Sequence, residues 1–286
     1  RLTTRVEELD LKAGTARLST GEALGFERLA LATGAPPRRL AIPGADLDRV
    51  HYLRTIADSD ALRPSLKNEG TIAVIGAGYI GLEVAASARK AGRDVVVIEA
   101  LERPLARVAG REVSDYFVDL HRRHGVVFRF GARVAGFEGK GRIAAVVLEG
   151  GESVPCSAAL VGVGAVPETA LAKAAGLAVE NGILVDARAR AGDNVWAVGD
   201  CANFPSKLYG RRIRLESAPN AIDQAKVAAL DMAGQPAFYD PAPWFWSDQY
   251  DVKLQTVGLS EGADQTVVRG LPGASTRSVW YLKGGR

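Results

Sequence analysis

The sequence predicts an α/β protein of several domains, built around a parallel sheet that is buried on both faces. Residues 71–75 and 94–99 are uninterrupted runs rich in Ile and Val, which is typical of such strands. A segment of helical length, from Tyr79 to Ala91, joins them and ends at Gly92, so the three elements form a βαβ unit. The domain junctions are marked by stretches rich in proline and glycine, at 32–37, 162–167 and 236–243.

The other elements follow from local patterns. Before the first junction, alternating residues and turn-forming glycines predict a β-meander, with strands at 5–10, 15–19 and 26–31. Amphipathic segments predict further helices at 111–124, 170–175 and 220–233. Short apolar runs predict strands at 126–130, 134–138, 143–148, 158–163, 183–185, 195–198, 253–257, 266–269 and 278–282.

The composition is that of an ordinary globular protein and excludes several classes. The 286 residues are 47% hydrophobic and 24% charged, and the net charge of +3 gives no sign of nucleic-acid binding. No apolar run approaches the ~18 residues of a membrane helix. Cys156 and Cys201 lie far apart, and the three histidines show no ligand spacing. We therefore expect a reducing, cytoplasmic location, no membrane contact and no metal site.

The first chemical signal is a glycine pattern between the predicted strand 71–75 and its helix. Gly76, Gly78 and Gly81 form Gly-x-Gly-x-x-Gly, with Tyr79 and Ile80 inside the pattern. The three glycines serve a tight turn, backbone approach to a pyrophosphate, and close packing of helix on strand. The helix then offers free N–H groups and its positive dipole end to the phosphates. The pattern in this context predicts a dinucleotide site.

An acidic residue at the end of the next strand completes this fingerprint. Glu99 follows Gly78 at the spacing at which a carboxylate reaches the adenosine ribose hydroxyls. A carboxylate there binds a free 2′-OH and repels a 2′-phosphate, which favours NADH over NADPH. Arg103 and Arg107 follow closely and could accept a phosphate, or could belong to a solvated basic loop.

Both chain ends suggest a longer protein. The chain begins without methionine, and strand 278–282 runs into the turn sequence Lys283-Gly284-Gly285 without a returning strand. We therefore expect that both termini of the protein are missing; the family resemblance described below also implies a second glycine fingerprint upstream.

A second chemical signal is the segment Val195-Trp196-Ala197-Val198-Gly199-Asp200. A buried strand that ends in Gly199-Asp200 delivers one carboxylate to the ligand-binding edge of a sheet, although an aspartate in a plain turn has the same pattern.

Together these features resemble the flavin-dependent ferredoxin reductases of the rubredoxin and putidaredoxin type, within the pyridine nucleotide–disulfide oxidoreductase superfamily. The resemblance is carried by Leu31-Ala32-Thr33-Gly34-Ala35, 76–83, 195–200 and Trp244-Phe245-Trp246-Ser247-Asp248-Gln249. The first three segments are general to the superfamily. The last is typical of the oxygenase-coupled reductases.

The resemblance implies two Rossmann-like domains, with an NAD-binding domain inserted into an FAD-binding domain. The implied bounds are 1–36 and 164–238 for FAD, 37–163 for NAD, and 239–286 for a truncated α+β C-terminal interface domain.

For FAD, the resemblance places Gly199 and Asp200 at the ribityl chain. Thr33 and Gly34 would lie near the flavin nucleotide where the chain crosses between domains, with Arg38 as a further contact.

The resemblance also implies that the helix opening near Asn220, with Ala221 and Gln224, aims its positive N-terminus at the flavin pyrimidine edge. Gln224 could instead be an exposed helix residue.

For the nicotinamide, the resemblance places Glu83 near the carboxamide as a catalytic residue; otherwise it is a helix-start carboxylate stabilised by the dipole. Tyr79 could cover the flavin face or simply pack. Trp246, the second catalytic candidate, could shield the flavin or shape the electron exit. Trp244 and Trp246 could equally be core aromatics.

The implied function is NADH:ferredoxin oxidoreductase: hydride passes from NADH to FAD, then single electrons pass to a [2Fe-2S] ferredoxin or rubredoxin that serves an oxygenase. Lys226 and Lys253 are candidate docking charges for an acidic partner. Three alternatives stay open: a related flavoprotein that reduces a small molecule, a flavoprotein of the apoptosis-inducing-factor type, and an inactive fragment that binds NADH weakly. The absence of a Cys-x-x-Cys motif disfavours a thioredoxin reductase.

Overall fold

The structure is a computed structural model that describes residues 1–67, 69–270 and 276–285. It contains two compact units. The first comprises residues 1–36, 165–245 and 255–258, and the second comprises 37–164, 246–254 and 259–286. The chain enters the second unit after Pro36 and leaves it after Gly164, so one unit is inserted into the other. The predicted α/β class with an inserted domain is therefore confirmed. The assignment of FAD-binding, NAD-binding and C-terminal domains, with all of their bounds, stays a prediction.

The helices of the described residues are α1 Ile56–Lys67, α2 Tyr79–Lys90, α3 Arg111–Arg123, α4 Ala170–Ala174 and α5 Ala218–Met232. The strands are β1 Val6–Asp10, β2 Thr15–Leu18, β3 Ala23–Gly25, β4 Leu29–Leu31, β5 Val50–His51, β6 Thr71–Ile75, β7 Asp94–Glu99, β8 Val126–Phe130, β9 Val134–Lys140, β10 Arg142–Leu148, β11 Ser153–Pro155, β12 Ala158–Val161, β13 Ile183–Leu184, β14 Arg190–Gly192, β15 Val195–Ala197, β16 Ala202–Ser206, β17 Arg211–Ile213, β18 Trp244–Gln249, β19 Val252–Val257, β20 Gln265–Arg269 and β21 Ser278–Leu282. A short 3₁₀ turn spans Gly199–Cys201.

The second unit is built on a five-stranded parallel sheet in the order β5-β12-β6-β7-β8. Alternate residues of each strand point to opposite faces. Ile72 and Val74 of β6 pack with residues of α1, α2 and α3 on one face, whereas Ala73 and Ile75 pack with β9 and β10 on the other. Burial on both faces explains why β6 and β7 read as continuous apolar runs in the sequence.

The first unit consists of small sheets around a parallel pair. β4 and β15 run parallel, β14 lies antiparallel to β15, and the chain order of the other sheets is β1-β2-β3 and β13-β16-β17. This arrangement places the end of β15, and the turn that follows it, beside the end of β4.

The structure differs from the sequence predictions at one helix start, one strand length and one helix that the sequence did not predict. α5 begins at Ala218 rather than near Asn220, because Ser217 caps the helix by accepting the Asn220 N–H and Pro219 suits the first turn. α1 was not predicted, because Pro64 inside it reads as a helix breaker. In addition, the predicted strand 26–31 is shorter and spans only Leu29–Leu31.

Within the described residues, no helix has both the length and the apolar character needed to cross a membrane.

Candidate functional site

The glycine pattern forms a turn in which β6 and α2 approach more closely than side chains would allow. Gly76 has φ +96°, and a Cβ there would lie 2.5 Å from the Gly162 carbonyl oxygen. A Cβ on Gly81 would lie 2.0 Å from the Gly76 carbonyl oxygen. Both positions therefore require glycine in this backbone.

The start of α2 is left available to an anion. Gly78 is its N-cap, with extended backbone and no side-chain cap. A Cβ on Gly78 would meet no atom of the described protein within 4 Å, so the space above the turn is kept clear. Uncapped N–H groups and the positive end of the helix dipole favour a phosphate group there.

Glu99 fastens this turn to the end of β7. Its Oε2 accepts the Ala77 N–H at 2.7 Å, and its Oε1 accepts the Leu101 N–H at 2.9 Å. Each carboxylate oxygen keeps a further lone pair, so Glu99 can still accept a hydrogen bond from a ribose hydroxyl. The predicted role is compatible with this geometry, and the structure adds a second role in shaping the turn.

The loop after β7 is held over the turn. The buried Leu105, with φ +55°, donates its N–H to the Ala77 carbonyl at 3.0 Å. The Arg103 guanidinium donates to the Ala109 and Ala106 carbonyls and to the Ser114 hydroxyl. Arg103 is therefore committed to the loop and is not a solvated basic residue, whereas Arg107 is exposed.

Glu83 lies one turn into α2, beside a cavity of about 350 Å³. The cavity is lined by Leu53, Arg54, Ile80, Glu83, Val84 and Ser87. Glu83 Oε1 accepts the Ser247 hydroxyl at 2.6 Å. Burial raises the pKa of the Glu83 carboxyl, and the nearby Asp248 adds to this, while the bond from Ser247 opposes it.

The two residues inside the fingerprint differ in exposure. Tyr79 packs against the core of the second unit, and burial raises its pKa to about 12. Packing is thus an observed role for Tyr79, and a flavin-covering role stays a prediction. Ile80 is 46% exposed and gives the cavity an apolar wall.

In the first unit, Gly199 and Asp200 lie in the 3₁₀ turn after β15. Gly199 has φ +77°, and its N–H donates to Gln224 Oε1 at 2.8 Å. Gln224 is fully buried, so its interpretation as an exposed helix residue is wrong. Its Nε2 has no hydrogen-bond partner among the described residues. An orphaned buried donor calls for an explanation such as a ligand acceptor, which fits the predicted flavin site.

Asn220 and Ala221 lie in the first turn of α5. The Asn220 side chain donates to the Leu215 carbonyl at 3.0 Å and accepts the Tyr239 hydroxyl at 2.7 Å. Asn220 is therefore engaged in anchoring the helix start. The Ser217 hydroxyl accepts the Asn220 N–H and the Ser217 carbonyl accepts the Ala221 N–H, so Asn220 and Ala221 offer a ligand the helix dipole but no free backbone donor.

Thr33 and Gly34 join β4 to the returning chain. The Thr33 hydroxyl donates to the Glu168 carbonyl at 2.6 Å, and the Glu168 N–H donates to the Gly34 carbonyl at 2.9 Å. Arg38 lies in the second unit just after the crossing, where its N–H donates to the Gly164 carbonyl and its side chain is exposed.

The tryptophans of β18 lie on one face of that strand. Trp244 and Trp246 are each 41% exposed, so their interpretation as core aromatics is wrong. Ser247 and Gln249, on the opposite face, are buried. The alternation of side chains along β18 thus places the exposed tryptophan rings on one face of the strand and Ser247, which contacts Glu83, on the other.

Three residues near these sites were missed in the sequence. Ser247 and Gln249 lie within the segment that carries the resemblance, but only their contacts reveal their role. Arg214 donates to the Asp200 carbonyl at 3.0 Å and pairs with Glu216, so it supports the Gly199-Asp200 turn. The sequence Arg214-Leu215-Glu216 just before α5 was the available signal.

The cysteines are each free and buried. Burial raises the pKa of the Cys156 thiol to about 12, and the Cys201 sulfur lies against the Val198 carbonyl at 3.3 Å. Cys156 is therefore a protonated, unreactive thiol at neutral pH. Among the described residues, no three His, Cys, Asp or Glu side chains are grouped as a metal site would need.

Comparison with protein families accounts for most of the chain. The model of the pyridine nucleotide-disulphide oxidoreductases matches residues 1–225, and that of the reductase C-terminal region matches residues 244–286. The chain belongs to the pyridine nucleotide-disulphide oxidoreductase family. This membership confirms the family inferred from the four sequence segments.

Individual relatives point to one branch of this family. Rhodocoxin reductase of Rhodococcus erythropolis is 44% identical over 98% of this chain and 66% of its own length. The ferredoxin reductase for the CYP199A2 system of Rhodopseudomonas palustris is 41% identical with a TM-score of 0.95, over 99% of this chain and 70% of its own. Putidaredoxin reductase, in its covalent complex with putidaredoxin, is 42% identical with a TM-score of 0.94, over 98% and 69%. The chain therefore spans about two thirds of the length of these relatives.

Removal of the Ser247 hydroxyl tests the environment of Glu83. We expect Ser247→Ala to raise the pKa of Glu83 further, because the lost hydrogen bond favours the ionised form whereas the burial remains. The measurement is a pH titration of the Glu83 carboxyl by ¹³C NMR. Ser65→Ala is the control, since Ser65 is also buried and hydrogen-bonded, but to His51. A Glu83 pKa that stays constant or falls in Ser247→Ala would contradict this account.

Proposed function

We propose that the protein is an FAD-dependent NADH:ferredoxin oxidoreductase. The observation that carries the proposal is the single helix α2, which begins at an anion-binding glycine turn and presents Glu83 to a cavity one turn later. A dinucleotide bound along this helix has its pyrophosphate at the turn and its second ring in reach of the carboxylate. The similarity to named ferredoxin reductases supports the same activity.

The residues fit both dinucleotides. For NADH, Gly76, Gly78 and Gly81 would hold the pyrophosphate, because Gly76 and Gly81 allow the close turn, the space above Gly78 is clear and α2 is uncapped. For FAD, the turn at Gly199-Asp200 would hold the ribityl chain, and the unpartnered Gln224 Nε2 supports a ligand beside it. When bound, these groups supply the hydride and single-electron chemistry.

The protein's own residues would bind the pyrophosphate and orient the nicotinamide ring. The positive end of α2 neutralises phosphate charge. Glu83 accepts the Ser247 hydroxyl with Oε1, so we propose that Oε2 accepts an amide N–H of the nicotinamide carboxamide and sets the angle of the ring. The apolar side chains of Leu53, Ile80 and Val84 line the same cavity and offer the ring an apolar surface to pack against.

We further propose that NADH is preferred over NADPH. The Glu99 carboxylate closes β7 beside the turn, where its charge repels a 2′-phosphate. Two cations, Arg103 and Arg107, could bind that phosphate. The guanidinium of Arg103 already donates hydrogen bonds to loop carbonyls and to Ser114. Only the exposed Arg107 of that pair remains for it.

The proposed electron acceptor is a small iron–sulfur protein, a ferredoxin or rubredoxin. Putidaredoxin reductase is known as a covalent complex with putidaredoxin, and this chain shares its fold over 98% of its length. Lys226 and Lys253 are exposed but paired with Asp223 and Asp248 at 2.9 and 3.1 Å. Such surface pairs contribute only about 0–1 kcal/mol, so either lysine can exchange its partner for an acidic surface.

The free, buried cysteines agree with the reducing, cytoplasmic location that we propose.

Reduction of the flavin tests the proposed function. The purified flavoprotein should show a flavin absorption band that NADH bleaches, and cytochrome c reduction should require added ferredoxin. Ferredoxin dependence separates this function from reduction of a quinone or another small molecule. A flavin band that NADH leaves unchanged would overturn the proposal, and bleaching without any electron transfer to iron–sulfur proteins would favour a binding protein of the apoptosis-inducing-factor type.

The coenzyme preference has its own test. We expect Glu99→Gln to reduce the NADH-to-NADPH ratio of kcat/KM at least tenfold, roughly the effect of removing one nearby repulsive charge. Glu102→Gln is the matched control, since Glu102 is exposed in the same loop. Steady-state kinetics with both coenzymes give the ratio. An unchanged ratio in Glu99→Gln would show that another group discriminates between the coenzymes.

A further inference from the structure

A buried chain of hydrogen bonds in the second unit ends on Glu83. The Ser247 hydroxyl donates to Glu83 Oε1 at 2.6 Å, and Gln249 Nε2 donates to Ser247 Oγ at 3.1 Å. Gln249 Oε1 lies 2.8 Å from His121 Nε2, and His121 Nδ1 lies 3.3 Å from the Tyr250 hydroxyl. Four consecutive hydrogen bonds thus connect α3 and β18 to the carboxylate on α2.

The direction of every bond follows from the carboxylate at the end. An ionised Glu83 only accepts, so the single hydrogen of Ser247 must go to it. Ser247 Oγ then accepts from the Gln249 amide nitrogen, and the Gln249 oxygen accepts from His121 Nε2. Burial lowers the pKa of His121 and so favours its neutral ring, which then carries its proton on Nε2 and accepts the Tyr250 hydroxyl at Nδ1. One arrangement of hydrogens satisfies the whole chain.

The hydrogen-bonded side chains occupy buried positions, which apolar residues could fill equally well. Ser247 is 1% exposed, and Gln249 and His121 are fully buried. Buried polar groups must be completely paired to avoid a desolvation penalty, and here each link is paired. An amide cannot pass a proton along at ordinary cost, so Gln249 makes this an orienting chain rather than a proton path. The effect of the hydrogen-bond chain is to orient the Ser247 hydroxyl.

We propose that Gln249 and His121 are positioning residues for Glu83. They turn the Ser247 hydroxyl toward Oε1, which fixes the carboxylate plane and leaves Oε2 for the carboxamide of the nicotinamide. This inference rests on the proposed function, because it requires the cavity beside Glu83 to take the nicotinamide end of the coenzyme. The substrate part recognised through this chain is a primary amide.

Two ligands separate this role from a structural one. NAD⁺ carries the carboxamide, whereas ADP-ribose shares the pyrophosphate and both riboses but lacks the nicotinamide. Gln249→Glu offers Ser247 a second acceptor at nearly unchanged volume, so its hydroxyl no longer points to Glu83 alone. We expect the Kd of NAD⁺ to rise about fivefold or more, the effect of one misdirected hydrogen bond, and that of ADP-ribose to change less than twofold. Isothermal titration calorimetry on the flavin-loaded protein measures both.

The controls make each outcome decisive. Gln255→Glu places the same substitution on the exposed face of β19 and should leave both affinities unchanged. If Gln249→Glu fails to fold, Gln249→Met breaks the same link with an apolar side chain of similar length. Equal weakening of both ligands, or no change in either, would overturn the positioning role. If the unaltered protein binds ADP-ribose and NAD⁺ equally well, the nicotinamide site of the proposed function fails instead.

Discussion

The close approach of two backbones at the glycine turn is the constraint on which the rest of the site depends. A Cβ at Gly81 would overlap the Gly76 carbonyl oxygen at 2.0 Å, so α2 can lie against the turn after β6 only because residue 81 is glycine. That contact sets the height of α2 above the sheet. The uncapped helix start and Glu83, one turn later, are consequently fixed relative to each other on one rigid element.

Two carboxylates of the second unit, Glu99 and Glu83, have different surroundings. Glu99 accepts backbone N–H groups of Ala77 and Leu101 at the edge of the turn, where a charge suits ribose hydroxyls and opposes an added phosphate. Glu83 is partly buried beside a mostly apolar cavity, and burial raises its pKa. We therefore propose that the environment of each group, rather than its type, suits Glu99 to select the coenzyme and Glu83 to orient its reactive end.

The sequence predicted the parts of this site that depend on local pattern. β6 and β7 were predicted at their observed bounds because strands buried on both faces leave continuous apolar runs. The role of Glu83 beside the nicotinamide came instead from the family resemblance and stays a prediction. Its partner Ser247 is 164 residues away, and no local pattern reports which face of β18 is buried. The hydrogen bonds of Arg103 to its own loop could not be predicted from the sequence either, because only the packed structure shows where a long, flexible cationic side chain points.

The most direct test of this account is a crystal structure of the flavin-loaded protein with NAD⁺. We expect the pyrophosphate at Gly76–Gly81 and the carboxamide nitrogen at hydrogen-bond distance, about 3 Å, from Glu83 Oε2. Ser247 should still donate to Oε1 in that complex. A nicotinamide ring outside the cavity lined by Ile80 and Val84, or a carboxamide that contacts other groups while Glu83 stays apart, would contradict the account.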